Sequence, residues 1–365
     1  MKYDYIVIGG GIIGMTTARE IANRGASVAI LDRQTFGNEA SRVAGGILSP
    51  MRPWVENADS IALSNQSKIL YTNFIQELKN ETGIDSQLIR SGLIIINEKH
   101  SQETINWAKK NKIELIKKIN LHYPEFNIPK HSILLPEIFQ VRPTLLLNAL
   151  YKSLQNLRVK LLENSVILQI HTDKNEFKYI TLNNNEKIYA NNLIITAGAW
   201  SKLLLKSINN EVNIKPIRGQ IINLRSNKPV IDKIILDGAY YLIPRHDNNI
   251  LIGSTMEDVG FVNETTDSAK DQLLQWGYSI IPQLIKTKLV SHSAGLRPAV
   301  NDGKPVIGLV TNFKNIYINS GHFRKGILQA PASATLLADH LFGEPSFMDI
   351  HNFSLEYRNN RKKIA

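Results

Sequence analysis

The chain has 365 residues, 43% of them hydrophobic and 21% charged, with 43 basic against 32 acidic side chains for a formal charge of +11. This is ordinary globular composition, long enough for one elaborate domain or two interleaved ones, and the lysines are spread along the chain, which suits solubility and the steering of anionic ligands. Cysteine is absent, which excludes disulfides, thiolate catalysis, cysteine-held metals and a flavin attached through sulfur.

The amino terminus, MKYDYIVIGGG, has no secretory leader, and no run approaches about 18 apolar residues, so a cytoplasmic protein without a membrane span is expected. Tyr5 to Ile8 reads as a strand, followed by a glycine turn and a helix with Ile13, Thr17, Ala18, Ile21 and Ala22 on one face. Gly25 stops that helix, and Val28 to Leu31 form the next strand. Gly9, Gly11 and Gly14 make G-x-G-x-x-G at the strand-to-helix turn, and Asp32 follows 18 residues after Gly14. In that setting each part has a task. Glycines let backbone approach a pyrophosphate, the helix start offers unpaired N–H groups, and the carboxylate accepts from a ribose diol. The pattern predicts a bound dinucleotide without choosing between NAD and FAD. A second small-residue loop, EASRVAGGILSP from Glu39 to Pro50, suits a chain passing close to the flavin end of a long, buried dinucleotide.

A helix is predicted over Ile61 to Lys79, ended by Gly83, then a short strand GLIII, a Lys-rich helix near residues 101 to 118, and a run punctuated by Pro124, Pro129 and Pro136. RPTLLLNALYKSL is a further helix with Pro143 in its first turn. Short strands follow from Val159 to Thr196, with a polar turn at Asn183 to Asn185, and a second strand-rich stretch from about 213 to 295 is interrupted by an amphipathic helix near 267 to 279. The carboxyl-terminal part repeats the opening arrangement of strand, glycine turn and helix, as NIYIN, SGHFRKG and LQAPASATLLADHLFG.

Arg297 stands in GLRPAVNDGKPVIG, a glycine-rich and otherwise apolar stretch where an unpaired cation is costly. A guanidinium fork matches a carboxylate, so Arg297 is the candidate clamp for an acid group, with a structural ion pair as the competing reading. Tyr240 and Tyr241 open an apolar strand and point to opposite faces if it forms. No G-x-S-x-G, H-E-x-x-H or Walker lysine is present, so the sequence offers no base or nucleophile constellation and no metal site.

The opening fingerprint, EASRVAGGILSPMRPW, IITAGAWS, IRGQ, YYLIPR, LIGSTMEDVG, GLRPAVNDGKPVIG and GHFRKGILQAPASATLLADHL occur in the order found in the FAD-dependent amine oxidases related to D-amino-acid oxidase. The chain resembles that family over nearly its whole length, and within it is most similar to the glycine oxidases of thiamine biosynthesis. The resemblance implies an α/β plus α+β architecture in which a Rossmann-like FAD-binding domain (1–88, 141–212 and 297–365) is interleaved with a β-rich substrate domain (89–140 and 213–296). It places non-covalent FAD against Gly9, Gly11, Ile12, Ile13 and Gly14 of the turn, and against Asp32 and Arg33. It adds Ala40, Ser41, Arg42, Gly45, Gly46 and Ile47 of the loop, then Val166, Ala197 and Gly198. The last contacts come from His322, Phe323, Arg324, Lys325, Gly326, Ile327 and Leu328.

For the substrate, the resemblance implies that Arg297 holds the carboxylate, that Arg324 assists it or contacts the flavin, and that Tyr241 and Met256 wall the pocket. Sarcosine oxidases, similar overall, carry lysine near the Met256 position. No catalytic residue beyond the flavin is implied. The Gly326 helix aims its positive end at the ring, and His322 makes a backbone contact to FAD. The implied reaction is hydride transfer from the Cα of glycine, sarcosine or D-alanine to flavin N5. The imine supplies thiazole synthesis or hydrolyses to glyoxylate and ammonia, and dioxygen is reduced to hydrogen peroxide. Alternatives left open are a D-amino-acid dehydrogenase feeding a quinone, an FAD-dependent oxidase of tRNA wobble-uridine modification, and a flavoprotein without turnover. Nucleic acid is not an expected partner, and the resemblance allows a homo-oligomer.

Overall fold

A computed structural model describes residues 2–49 and 56–358; the PMRPW end of the loop motif, with Pro50, lies outside the described residues. Two eight-stranded sheets dominate. In the first, Lys2–Ile8 lies parallel between Lys187–Ile195 and Val28–Leu31, and the latter pairs in parallel with Lys160–Leu162. Ile316–Ser320 joins in parallel beside Leu193 to Ile195, so the GHFRKG turn leaves the same end of the sheet as the first glycine turn. The hairpin Ile167–Asp173 and Glu176–Leu182 extends one edge in antiparallel fashion.

Parallel strands buried on both faces need continuous apolar runs, and Ile6, Val7, Ile30, Ile194 and Ile318 are fully buried accordingly. The Ile12–Asn23, Ala58–Thr82, Pro143–Asn156 and Gly326–Phe342 helices cover one face and close the largest core. Asn57 caps the second of these by accepting from the Asp59 and Ser60 N–H groups, and Gly83 at φ +75° ends it.

The second sheet runs in the order Lys288–Val300, Ile214–Arg225, Asn249–Gly253, Tyr240–Pro244, Ile234–Asp237, Leu93–Ile95, Ile133–Leu135 and Ile116–Lys117. Its long first ladder pairs Ile217 with Arg297 and Gly219 with Gly295, and it continues to Val300. The domain boundary expected at 296/297 therefore falls inside an unbroken strand, and Arg297 is carried by the second sheet. Tyr240 packs in the core on one face of this sheet and Tyr241 in the core on the other, as strand alternation requires.

One helix differs from its expectation. The Lys-rich segment is helical only over Glu98–Asn111, starting from an Asn97 cap and ending at Lys112 with φ +55°. Ile113 and Leu115 then pack against the core, and Ile116 pairs with Leu134. Partial burial of Ile113 and Leu115, with the strand pairing of Ile116, outweighs continuing a helix whose lysines gain nothing from packing. Among the described residues no helix is long and apolar enough to cross a membrane.

Candidate active site

A cavity of about 500 Å³ runs between the two sheets, from the first glycine turn to Arg297. The three fingerprint glycines are needed for three different reasons. Gly9 has φ +115°, and a Cβ there would stand 2.7 Å from the Thr196 carbonyl oxygen. A Cβ on Gly14 would lie 1.8 Å from the Gly9 carbonyl oxygen, so this glycine allows helix and strand to touch from behind the turn. Among the described residues a Cβ on Gly11 would meet only the Ser41 hydroxyl, at 3.2 Å, so the bare backbone there opens onto the cavity. Ser41 accepts from the Ile12 N–H at 3.0 Å and ties the second loop to the helix start. Asp32 holds the turn by accepting from the Gly10 N–H at 2.7 Å and the Gln34 N–H at 2.9 Å, and burial raises its pKa despite these bonds.

Of the expected cofactor contacts, Gly9, Gly11, Ile12, Ile13, Asp32 and Arg33 line the cavity, as do Ala40, Ser41, Gly45, Gly46 and Ile47. Val166, Ala197 and Gly198 also line it, with His322, Phe323, Arg324, Gly326 and Ile327. Four others lie off the wall. Gly14 backs the turn, Arg42 is exposed, and Leu328 is in the core. Lys325 turns away to meet Glu56 at 3.0 Å, the Ser60 hydroxyl at 2.7 Å and the Gly303 carbonyl at 3.2 Å. Trp200 was not foreseen. Arg33 and Trp200 both line the cavity, the guanidinium 3.9 Å from the ring centroid, and Phe261 packs on the indole at 5.5 Å between ring centroids.

At the inner end the Arg297 guanidinium lies against bare Gly219, where a Cβ would come within 2.0 to 2.1 Å of its carbon and both terminal nitrogens. It donates to the Thr255 carbonyl at 3.1 Å and the Ser254 hydroxyl at 2.7 Å, and the Tyr241 hydroxyl is within its reach. The carboxylate that influences it, Glu257, is itself engaged by Arg218, Gln220 and Thr255. Arg297 therefore has no ion-pair partner among the described residues, and burial lowers its pKa from the ordinary arginine value. The Tyr241 ring is held between two more glycines, since a Cβ on Gly45 or Gly253 would come within 3.3 or 2.8 Å of it.

Arg324 also lines the cavity and donates to the Ala239 carbonyl at 3.1 Å. Met256 does not line it; the side chain is half exposed with Sδ 4.0 Å from Arg324 Nη1. The part played by Gly219 was missed within the IRGQ motif; the signal was a glycine inside a long strand, which marks close approach by another group.

His322 is 1% exposed with neither ring nitrogen partnered among the described residues, and burial with the nearby Lys325 charge pushes its pKa down to about 3. Its ordinary value is 6.5, so between pH 6.5 and 3 the unfolded chain binds a proton that the folded one refuses. The stability this neutral ring contributes is whole above the unfolded value and is lost as pH falls toward the folded one. Between pH 7.5 and 5.5 the ligand-free protein should lose about 1.4 kcal/mol more than its His322→Gln variant. Chemical denaturation at the two pH values measures this, and equal losses would contradict it.

These features suit a dinucleotide that carries a flavin: a bare helix start at Gly11, a carboxylate beside it, and an unsatisfied buried imidazole at the far end. Residues 4–340 match the family model described as FAD dependent oxidoreductase, DAO. The chain is 33% identical over 356 residues to a glycine oxidase of Pseudomonas aeruginosa, covering 96% of this chain and 97% of that one. It is 27% identical to a bifunctional protein ThiO/ThiG of Nostoc, which it matches over its whole length and over 56% of the relative. The crystal structure of glycine oxidase from Bacillus cereus superposes with a TM-score of 0.88 at 25% identity, covering 96% of this chain and 97% of that one.

Proposed function

The chain belongs to the family of FAD dependent oxidoreductases, and from that premise we propose that it is an FAD-dependent oxidase of glycine and other small primary or secondary amino acids. The observation that carries this reading is Arg297, a guanidinium lying on Gly219 at the cavity wall with no acidic partner among the described residues. A fork that meets only neutral acceptors among the described residues, in a partly desolvated site, selects a carboxylate, and its bonds to Thr255 and Ser254 set the direction from which that carboxylate is held. Tyr241 adds a hydroxyl to the same group, and Arg324 supplies a second positive charge nearby. An amino acid held so would have its Cα turned into the cavity, where Tyr241, Ile47 and Leu296 line the wall and would exclude water.

The residues fit FAD held without a covalent link. The Gly9 to Gly14 turn would take the pyrophosphate, Asp32 the ribose, and the Ala44 to Ile47 loop with His322 to Ile327 the ring. Bound there, FAD would supply the two-electron chemistry, hydride acceptance from Cα and reoxidation by dioxygen, whose products are an imine and hydrogen peroxide. The imine is used for thiazole formation in thiamine synthesis, a reading supported by the ThiO/ThiG relative, or hydrolyses to glyoxylate and ammonia. We assign cofactor binding to 1–88, 141–212 and 301–365 and substrate binding to 89–140 and 213–300, moving the last boundary past Val300 because the strand that carries Arg297 stays in the second sheet to that residue. The quinone-linked and RNA-modifying alternatives are not favoured, since the relative matched over nearly its full length is named a glycine oxidase.

Anaerobic mixing tests the reading. Glycine, sarcosine or D-alanine should bleach the protein's yellow colour, and air should restore it with peroxide released. A flavin that all three leave oxidised would sink it.

A further inference from the structure

Arg245 is 8% exposed at the end of the strand that carries Tyr241. Its guanidinium donates to Gln140 Oε1, to the Val141 carbonyl at 3.0 Å and to the Gly45 carbonyl at 2.8 Å, all neutral acceptors. The nearby acid, Asp247, is paired with Arg142 at 2.8 Å. A buried cation without a direct counter-charge is costly, and burial brings its pKa down to about 10, which leaves it charged at neutral pH. A merely structural tie among three oxygens does not need that charge.

All three acceptors belong to one junction. The Val141 N–H donates to the Gly46 carbonyl at 2.9 Å, and Gln140 pairs with Ile47 in the short sheet. The peptide joining Gly45 to Gly46 is thus loaded at its oxygen by Arg245. Its other pole, the Gly46 N–H, is buried in the cavity wall and has no acceptor among the described residues. A positive charge on the oxygen of a peptide strengthens its N–H as a donor. An unsatisfied buried N–H of this kind calls for an acceptor from a ligand.

We propose that Arg245 is a positioning residue that holds and polarises the Gly45–Gly46 peptide, so that the Gly46 N–H donates to an acceptor atom of the flavin ring and favours its electron-rich state. The proposal rests on reading the cavity as an FAD site. Arg245 touches neither substrate nor cofactor, and its effect passes through one peptide group. The same reasoning explains why the loop carries glycine at 46. There φ is +73°, and a Cβ would strike the Val141 carbonyl at 2.2 Å.

The test compares Arg245→Lys, which keeps the charge, with Arg245→Gln, which keeps a donor without it, both as holoenzymes of verified melting temperature. The readouts are the visible flavin spectrum, FAD affinity of the apoprotein by fluorescence titration, and affinity for sulfite, an anion that adds to electron-poor flavins. We expect Arg245→Gln to shift the spectrum and weaken sulfite binding roughly tenfold, and Arg245→Lys to recover most of that loss. Glycine kcat should follow the same order while KM holds. Equal sulfite affinity in wild type and Arg245→Gln, or equal impairment in the two variants, would overturn the role of the charge. If Arg245→Gln does not fold, a lysine variant with wild-type stability but tenfold weaker sulfite binding would overturn it equally. A wild-type protein that binds no FAD, or whose flavin glycine leaves oxidised, would instead refute the functional reading itself.

Discussion

Replacing Arg297 with methionine should lower kcat/KM for glycine about a thousandfold while FAD stays bound. The magnitude follows from what the fork does. On the proposed reading it would meet the substrate carboxylate in a site where burial already lowers its pKa, and removing one member of such a desolvated charge pair costs about 3 to 5 kcal/mol. Arg297→Lys keeps the charge but not the planar fork, and should recover only part of the loss. Gly219→Ala tests the same geometry from the other side. Its Cβ would overlap the guanidinium, with 2.0 Å to the nearest nitrogen, so the fork must leave the wall and KM should rise with flavin content unchanged. Steady-state kinetics beside flavin absorbance separates these outcomes. Arg297→Met with wild-type kcat/KM would show that the carboxylate is held elsewhere.

What the sequence disclosed and what it concealed follow a physical division. The turn at Gly9 to Gly14 with Asp32 was readable because all its parts lie in one stretch of strand, turn and helix, and local spacing fixes their arrangement. Arg297 was readable because a cation among glycines and apolar residues is expensive wherever it ends up. Lys325 shows the limit of adjacency. It follows three residues that line the cavity, His322 to Arg324, yet the chain enters a helix there and the next side chain swings to Glu56. Met256 directly follows Ser254 and Thr255, which accept from Arg297, but it lies off the cavity wall and is half exposed. Gly219 and Arg245 were invisible as site residues because their meaning lies in partners distant along the chain. Arg245 joins Gln140 and Gly45 across sequence separations of 105 and 200 residues, and no local pattern announces such a contact. The Lys-rich helix was overextended for a related reason, since the pairing of Ile116 with Leu134 competes only after the sheet exists.

The fingerprint glycines make the second large prediction, because two of them should fail in different ways. Gly14→Ala puts a Cβ 1.8 Å from the Gly9 carbonyl oxygen and 2.6 Å from Thr196 Oγ1. The first of these is backbone, held by the parallel ladder of Lys2–Ile8, and it cannot rotate aside. Helix and strand must separate, so the apoprotein should lose about 3 kcal/mol and FAD should wash out during purification. Among the described residues Gly11→Ala meets only the Ser41 hydroxyl, at 3.2 Å, which a side-chain rotation relieves. Its apoprotein should unfold within about 0.5 kcal/mol of wild type. Its new methyl group would still occupy the space through which a pyrophosphate approaches the helix start, and FAD affinity should fall at least tenfold, or about 1.4 kcal/mol. Denaturant unfolding of both apoproteins, together with FAD fluorescence titration, resolves stability from binding. If Gly11→Ala bound FAD as wild type does, the phosphates would not lie against this turn, and the dinucleotide would have to enter the cavity in another orientation.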